Sequence, residues 1–422
     1  MKWILILFFS LLLVLPLMAT EKPIEITVLK AGVSDLSKVA GFEKWGTTDN
    51  YFVKRFAELE PGIKVILTDA DISQGNTITI DSLVAAGKAP DVYQDHISRV
   101  GKFIVPEYAL PISDYVDLSY LNPKMIEQFK RGGKVYGLPL SLVNQGMILN
   151  MDLLEAIGYK VPDNWTLDDF RAMAKLVKEK APGKYATVLF AQNQSGDYFF
   201  MNWFASFGVK FYSEGYKEST FEKTGGAKGL AWFMEMYNNG WIPKEAANLN
   251  DDDYLLMLSK GEVATGGLYL GHLPILESAV KQGLIDKPIT LKYVSFPNNA
   301  PACIQLAGIV GHNTKDKKRN EAIAKYIKFV TSAEYQTLDT LYQGSVPTAL
   351  AVTAKSAHPL WPGQVAVAQK NGLYDLGLAL PQFGEIRKQM YPLLQRMYAG
   401  ELTPDQVAKM YTENVNKILA KK

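Results

Sequence analysis

Cysteine is almost missing from this chain. Cys303 is the only one in 422 residues, so no disulfide can form within it. It lies in the apolar run Ala302 to Val310 and is expected to be a buried, inert core residue, too far along the chain to carry an N-terminal lipid. Histidine is scarce too: His96, His272, His312 and His358 are scattered, and none has a second histidine at metal-ligand spacing. No metal and no cofactor is expected. Charge of one sign is lacking, with a net of +2, which removes the basic field a nucleic-acid partner needs. Nucleophile elbows, zinc-protease helices, phosphate loops and dinucleotide fingerprints are all absent. Paired carboxylates carry no local signature, so a glycosidase arrangement stays open at this point. Asp251-Asp252-Asp253 lacks the alternating ligands and glycine of a calcium loop and suits a helix N-terminus, where the dipole favours acids. Long apolar runs are missing apart from Trp3 to Leu15, which falls short of the ~20 residues of a membrane span. With Lys2 before it and Ala19 after it, that run reads as a signal peptide over residues 1–20, cleaved before Thr20 or Glu21.

What remains is an ordinary globular composition, 48% hydrophobic and 21% charged, in a chain long enough for two domains. Ile24 to Leu29 alternates as a strand, Thr48 to Leu59 reads as a helix, Ile63 to Leu67 as a strand, and Thr77 to Ala86 as a helix. Ala89-Pro90-Asp91-Val92-Tyr93 is a third short strand. This alternation predicts a parallel sheet, whose ligands meet the loops at the carboxyl ends of the strands. Ala186 to Phe190 reads as a further strand, Tyr198 to Phe207 as an aromatic helix, and Leu230, Phe233, Met234 and Tyr237 fall on one helical face. Leu291 to Val294 and Ile304 to Val310 read as strands, Asn320 to Val330 as a helix, and Thr403-Pro404-Asp405-Gln406 as a capping box.

The centre of the chain is residues 129–176. Gly132-Gly133 makes a tight turn, and Lys134 to Leu140 then runs extended, with Pro139 confining it to an edge or crossing strand. Leu142 to Leu149 continues extended across the polar Asn144-Gln145-Gly146. A short helix, Met151 to Ile157, stops at Gly158. Thr166 caps the next helix, with Asp169 completing a capping box, and Phe170, Met173, Ala174 and Val177 bury one face.

The phrases GKVYGLP and LNMDLLEAIGYKVPDNWTLDDF, with APDVY before them and LMLSKGEVATGG, KYIKFVTSAEYQ and GSVPT after them in order, resemble the extracellular solute-binding proteins of ABC transporters. The resemblance is to the large group that captures sugars and oligosaccharides, and it covers nearly the whole chain. It implies an α/β, two-lobed periplasmic-binding-protein fold, each lobe a mostly parallel sheet flanked by helices, with a three-crossing hinge. It implies a first lobe of residues 21–140 and 295–345 and a second of 141–294 and 346–422. The implied function is capture of a carbohydrate by hinge closure, without catalysis, and delivery to the membrane permease subunits by an exported, periplasmic monomer.

A sugar ring offers an apolar face for aromatic stacking and a rim of hydroxyls for Asp, Asn, Gln or Arg. Aromatics make up 11% of the chain. Trp45 lies in the first connection, and Trp361 stands between prolines, whereas Trp203 and Phe204 read as core. Position by position the resemblance implies a stacking role for Tyr269 after Gly266-Gly267, and a polar group and a ring from Asp197 and Tyr198. It further implies polar contacts from Ser98 and Arg99, with Gln94, Asp95 and His96 as competitors, and a late contribution from Gln382 and Phe383. Arg387 replaces an aromatic of the maltose-binding member, which leaves the sugar open.

Overall fold

The computed structural model describes residues 22–30, 42–69, 76–192, 196–268, 273–371 and 373–421. Its strands are β1 (Ile24–Lys30), β2 (Ile63–Asp69), β3 (Val92–His96), β4 (Lys130–Arg131), β5 (Lys134–Val135), β6 (Leu138–Asn150), β7 (Thr265–Leu268), β8 (Leu291–Val294), β9 (Ala302–Gly311), β10 (Val346–Pro347) and β11 (Leu373–Tyr374). The signal-peptide reading falls on residues outside this set.

Everything hangs on β6. Its first half is interior to a sheet of order β10-β6-β9-β3-β1-β2, in which β1, β2 and β3 are parallel, as their helical crossovers predict, and β9 is antiparallel. Its second half leaves these partners and pairs with β7 on one side and β8 on the other. One strand therefore seeds two sheets. Pro139 is not at an edge: it sits within the ladder to β9, where the register shifts between Pro139 and Ser141. Such a bulge is where a sheet interior tolerates a residue without an N–H. β8, which the expected boundaries put in the second lobe, belongs to the second sheet.

Two apolar clusters form the core, and the larger runs through both sheets, from Ile26 and Val92 to Met147 and Leu149. The smaller gathers Ile148, Val188, Phe190, Phe199, Tyr254, Leu258, Tyr293, Leu360 and Trp361. Trp361 is 8% exposed and so belongs to the core. Trp203 and Phe204 are buried in the larger cluster, as expected. The Cys303 side chain lies outside the described set.

Local signals place most helices. The helix Leu167–Lys180 starts in a full capping box of Thr166 and Asp169 and buries Phe170, Met173, Ala174 and Val177. The helix Asp251–Ser259 carries the three acids in its first turn behind Asn250, and Pro404–Leu419 is boxed by Thr403 and Gln406. The third strand runs Val92–His96, later than read, because Asp91 turns to accept the backbone N–H of Thr27 at 2.7 Å.

Ala186 to Phe190 is not a strand. It is buried and extended, but its neighbours are scattered. Ala186 N–H donates to Trp241, Thr265 donates back to Ala186, and Tyr398 Oη donates to the Leu189 carbonyl. A buried apolar run can satisfy its backbone this way without a ladder.

Residues 345–349, where the resemblance puts the third crossing, run beside the first sheet. Val346–Pro347 pairs with Ser141–Leu142, and the Gln336 side-chain oxygen accepts from the Thr348 and Ala349 N–H groups at 2.6 and 2.9 Å. Leu350 N–H donates to Tyr120. The chain reaches the second cluster at Leu360.

Candidate ligand-binding cleft

The carboxyl ends of β1 and β3 stand together, with Lys30 paired in register to Gln94. Lys30, almost fully buried, forms an ion pair with Asp49 in the first turn of the helix Thr48–Leu59. Across the sheet, His96 faces Ala307, Ala307 faces Ser141, and Ser141 faces Pro347. This row is the edge where the first sheet ends and the crossings begin.

Of the candidates after β3, Asp95 is buried and fully engaged. Its carboxylate accepts from Tyr93 Oη at 2.9 Å, His96 N–H at 2.6 Å and Arg99 Nη1 at 2.9 Å. It holds Arg99 in place; the Arg99 side chain remains 36% exposed. His96 caps the following turn, its Nδ1 accepting from Ser98 N–H and lying 2.8 Å from Ser98 Oγ. Gln94 Nε2 donates to Tyr335 Oη at 3.2 Å. Ser98 and Arg99 are thus partly exposed at the sheet edge, with Gln94, Asp95 and His96 forming the network beneath them.

Trp45 ends a single 3-10 turn and is half-buried. Its ring meets the Tyr51 ring edge-on at 5.2 Å, with the Lys44 and Lys54 ammonium groups 5.1 and 5.6 Å from it. Tyr51 donates to Glu334 at 3.0 Å, and burial together with that carboxylate pushes its phenol up to about 12.

On the second sheet, Gly146 of β6 pairs with Leu268, the last described residue before Tyr269. Tyr269 itself lies outside the described residues. Gly266 and Gly267 are strand residues of β7 and make no sharp turn. They are needed because neighbours press on them: a Cβ on Gly266 would lie 2.0 Å from Tyr254 Oη, and one on Gly267 3.2 Å from Phe199. Tyr254 donates to the Gly267 carbonyl at 2.9 Å. Asp197 and Tyr198 occupy the first turn of the helix Gly196–Ala205, which packs against β6, β7 and β9 where the sheets meet.

The late helix brings a correction. Phe383 is 2% exposed, buried in the large cluster with the Arg387 guanidinium 5.5 Å from its ring centre. It has no open face for a sugar. Gln382, the residue capping this helix, is partly exposed, and the helix Phe383–Ile386 touches Ile97–Val100. The helix that Gln382 begins is thus packed on the turn that carries Ser98 and Arg99.

Sequence reasoning missed Asp339, on the helix Ala333–Gln343. Its carboxyl accepts from the Ser141 and Ser345 hydroxyls, and burial pushes it above the usual carboxylate range. A lone acid in an amphipathic helix carries no local signal. Among the described residues no cluster of three His, Cys, Asp or Glu could hold a metal.

A family model of bacterial extracellular solute-binding proteins matches residues 40–337. Among curated proteins, the melibiose/raffinose/stachyose-binding protein MelE of Bacillus subtilis is 30% identical over 109 residues, 26% of this chain and 25% of that one. The alignment thus spans about a quarter of that relative. Among solved structures, the cyclic alpha-maltosyl-1,6-maltose binding protein of Arthrobacter globiformis superposes with a TM-score of 0.75 at 15% identity, covering 95% of this chain and all of that one. An ABC substrate-binding protein of Listeria monocytogenes, in complex with cycloalternan, gives 0.73 at 19% identity, with 95% and 100% covered. These likenesses show the two-lobed α/β fold.

Proposed function

The chain belongs to the bacterial extracellular solute-binding proteins, and from that premise we propose that it captures a carbohydrate between two lobes and passes it, unaltered, to an ABC permease. The observation that carries this reading is the meeting of two sheets on β6, with a polar edge of Gln94, His96, Ser98, Arg99 and Ser141 beside it. A polar edge of this kind suits a ligand with a rim of hydroxyls. The oligosaccharide binders named above support a di- or oligosaccharide.

The lobes follow the sheets. The proposed crossings are at 143–146 of β6, at 302–305 of β9, and at 350–360, the last supported by the pairing of Val346–Pro347 with the first sheet. Closure about these crossings would bury the sugar, which favours the closed state through the extra contacts it makes there. Ligand contacts are proposed for Trp45, Ser98, Arg99, Asp197, Tyr198, Tyr269 and Gln382. Export by residues 1–20, a periplasmic location and a monomeric state complete the reading. Among the described residues no helix is long and apolar enough to cross a membrane.

A thermal-shift screen over mono-, di- and oligosaccharides tests it. A ligand at 100 times its Kd stabilises by about 2.7 kcal/mol. Stabilisation by polyamines or peptides and by no sugar would overturn the carbohydrate class.

A further inference from the structure

At the crossing end of the row, one carboxyl is held by hydroxyls of two crossing segments, and no cation among the described residues pairs with it. Asp339 is partly exposed, while Ser141 and Ser345, whose hydroxyls donate to it, are 5% and 6% exposed. The serines come from two different segments: Ser141 lies in β6 just before it changes sheets, and Ser345 immediately precedes β10. One helical turn before Asp339, Tyr335 accepts from Gln94 at the end of β3 and stacks on Phe52 with centroids 4.0 Å apart. Gln94, Tyr335 and Asp339 therefore form a polar line from the end of β3 to the β6 crossing.

We propose that Asp339 is a further ligand-contacting residue of the cleft, hydrogen-bonding sugar hydroxyls at its crossing end and selecting uncharged sugars over sugar acids. The proposal rests on the carbohydrate reading above. A carboxyl accepts through two oxygens and, when protonated, also donates, so it suits a hydroxyl that must do both. Burial between the crossing strands raises Asp339 towards that protonated form. The two described cations at this edge are already matched, Lys30 to Asp49 and Arg99 to Asp95. A ligand carboxylate brought to Asp339 would find both of these cations paired, and would repel an ionised Asp339.

The test uses raffinose, maltotriose and chitotriose as neutral probes and digalacturonate as the acidic one, titrated into the wild type, Asp339→Asn and Asp339→Ala. The sugar that binds the wild type should bind Asp339→Ala at least about tenfold more weakly, whereas Asp339→Asn, which keeps an acceptor and a donor, should stay within about threefold. Digalacturonate should not bind the wild type. Unfolding midpoints without sugar, measured on the same samples, separate contact from scaffolding: a contact residue changes affinity while the sugar-free midpoint holds. Equal affinity in Asp339→Ala, an affinity loss matched by a lowered sugar-free midpoint in both variants, or binding of digalacturonate by the wild type overturns the assignment of Asp339 alone. If neither these three nor any sugar of the thermal-shift screen binds the wild type, the carbohydrate reading fails, and this site fails with it.

Discussion

A Cβ on Gly146 would lie 2.4 Å from the Tyr293 ring, and the same Tyr293 accepts a hydrogen bond from the Gly146 N–H. The two residues face each other where β6 enters the second sheet, so the ring cannot withdraw without losing its bond. Gly146→Ala should overpack this point and destabilise the protein by about 1–3 kcal/mol. Urea denaturation measures it. A change within about 0.5 kcal/mol, the size of an ordinary surface substitution, would show that the ring yields freely.

Local grammar made half of this architecture legible. Thr166 with Asp169, and Thr403 with Gln406, announce their helices because a cap is a contact between residues three apart. Gly266 and Gly267 were visible as glycines, but their reason was not, since Tyr254 and Phe199 press on them from elsewhere in the chain. Ala186 to Phe190 has strand composition, yet whether a buried run joins a ladder depends on which backbones surround it. Phe383 and Gln382 are adjacent in sequence and differ only in which one the core claims. Ser98 and Arg99 were implied only by the family resemblance, and the carboxyl of Asp339 meets hydroxyls of Ser141 and Ser345, which stand far apart in the chain.

The Asp91–Arg319 pair anchors the outer part of the first sheet. Burial pushes the Asp91 carboxyl up, but the Arg319 guanidinium at 2.6 and 2.7 Å and the Thr27 N–H and hydroxyl outweigh it and hold it below the usual range. With its folded value depressed, Asp91 contributes stability that is present above pH ~4 and lost as pH falls through the lowered value. Arg319→Met should cost about 2 kcal/mol at pH 7, less than the ~3–5 of a fully buried pair, because Arg319 is 39% exposed. The cost should shrink as Asp91 becomes protonated in acid. Denaturation at pH 7 and pH 3 measures both, and an equal cost at the two values would deny the pair this role.

Asp339 titrates in the opposite sense. Its folded value is raised, so the folded state holds its proton more tightly, and stability falls as pH rises from the ordinary carboxyl range through the raised value. Asp339→Asn removes that loss. The variant should be at least as stable as the wild type at pH 8 and lose its relative advantage at pH 4. A variant less stable at pH 8 than at pH 4, relative to the wild type, would contradict the raised value.

Tyr269 follows Leu268, which pairs with Gly146 at the meeting of the sheets. Ring stacking on a sugar is worth roughly 1 kcal/mol or more. Tyr269→Ala should weaken sugar binding at least about tenfold, one decade per 1.4 kcal/mol, and barely move the sugar-free unfolding midpoint. Normal binding by the variant would remove Tyr269 from the site.

The central claim is that a sugar is bound between the lobes and released unchanged. Calorimetric titration of the wild type with raffinose, maltotriose and chitotriose, followed by chromatography of the recovered sugar, tests this most directly. The account predicts that one of them, or another sugar picked out by the thermal-shift screen, binds at a single site per chain and is recovered intact; no binding by any sugar of that screen, or recovery of a bound sugar as cleaved products, would contradict it.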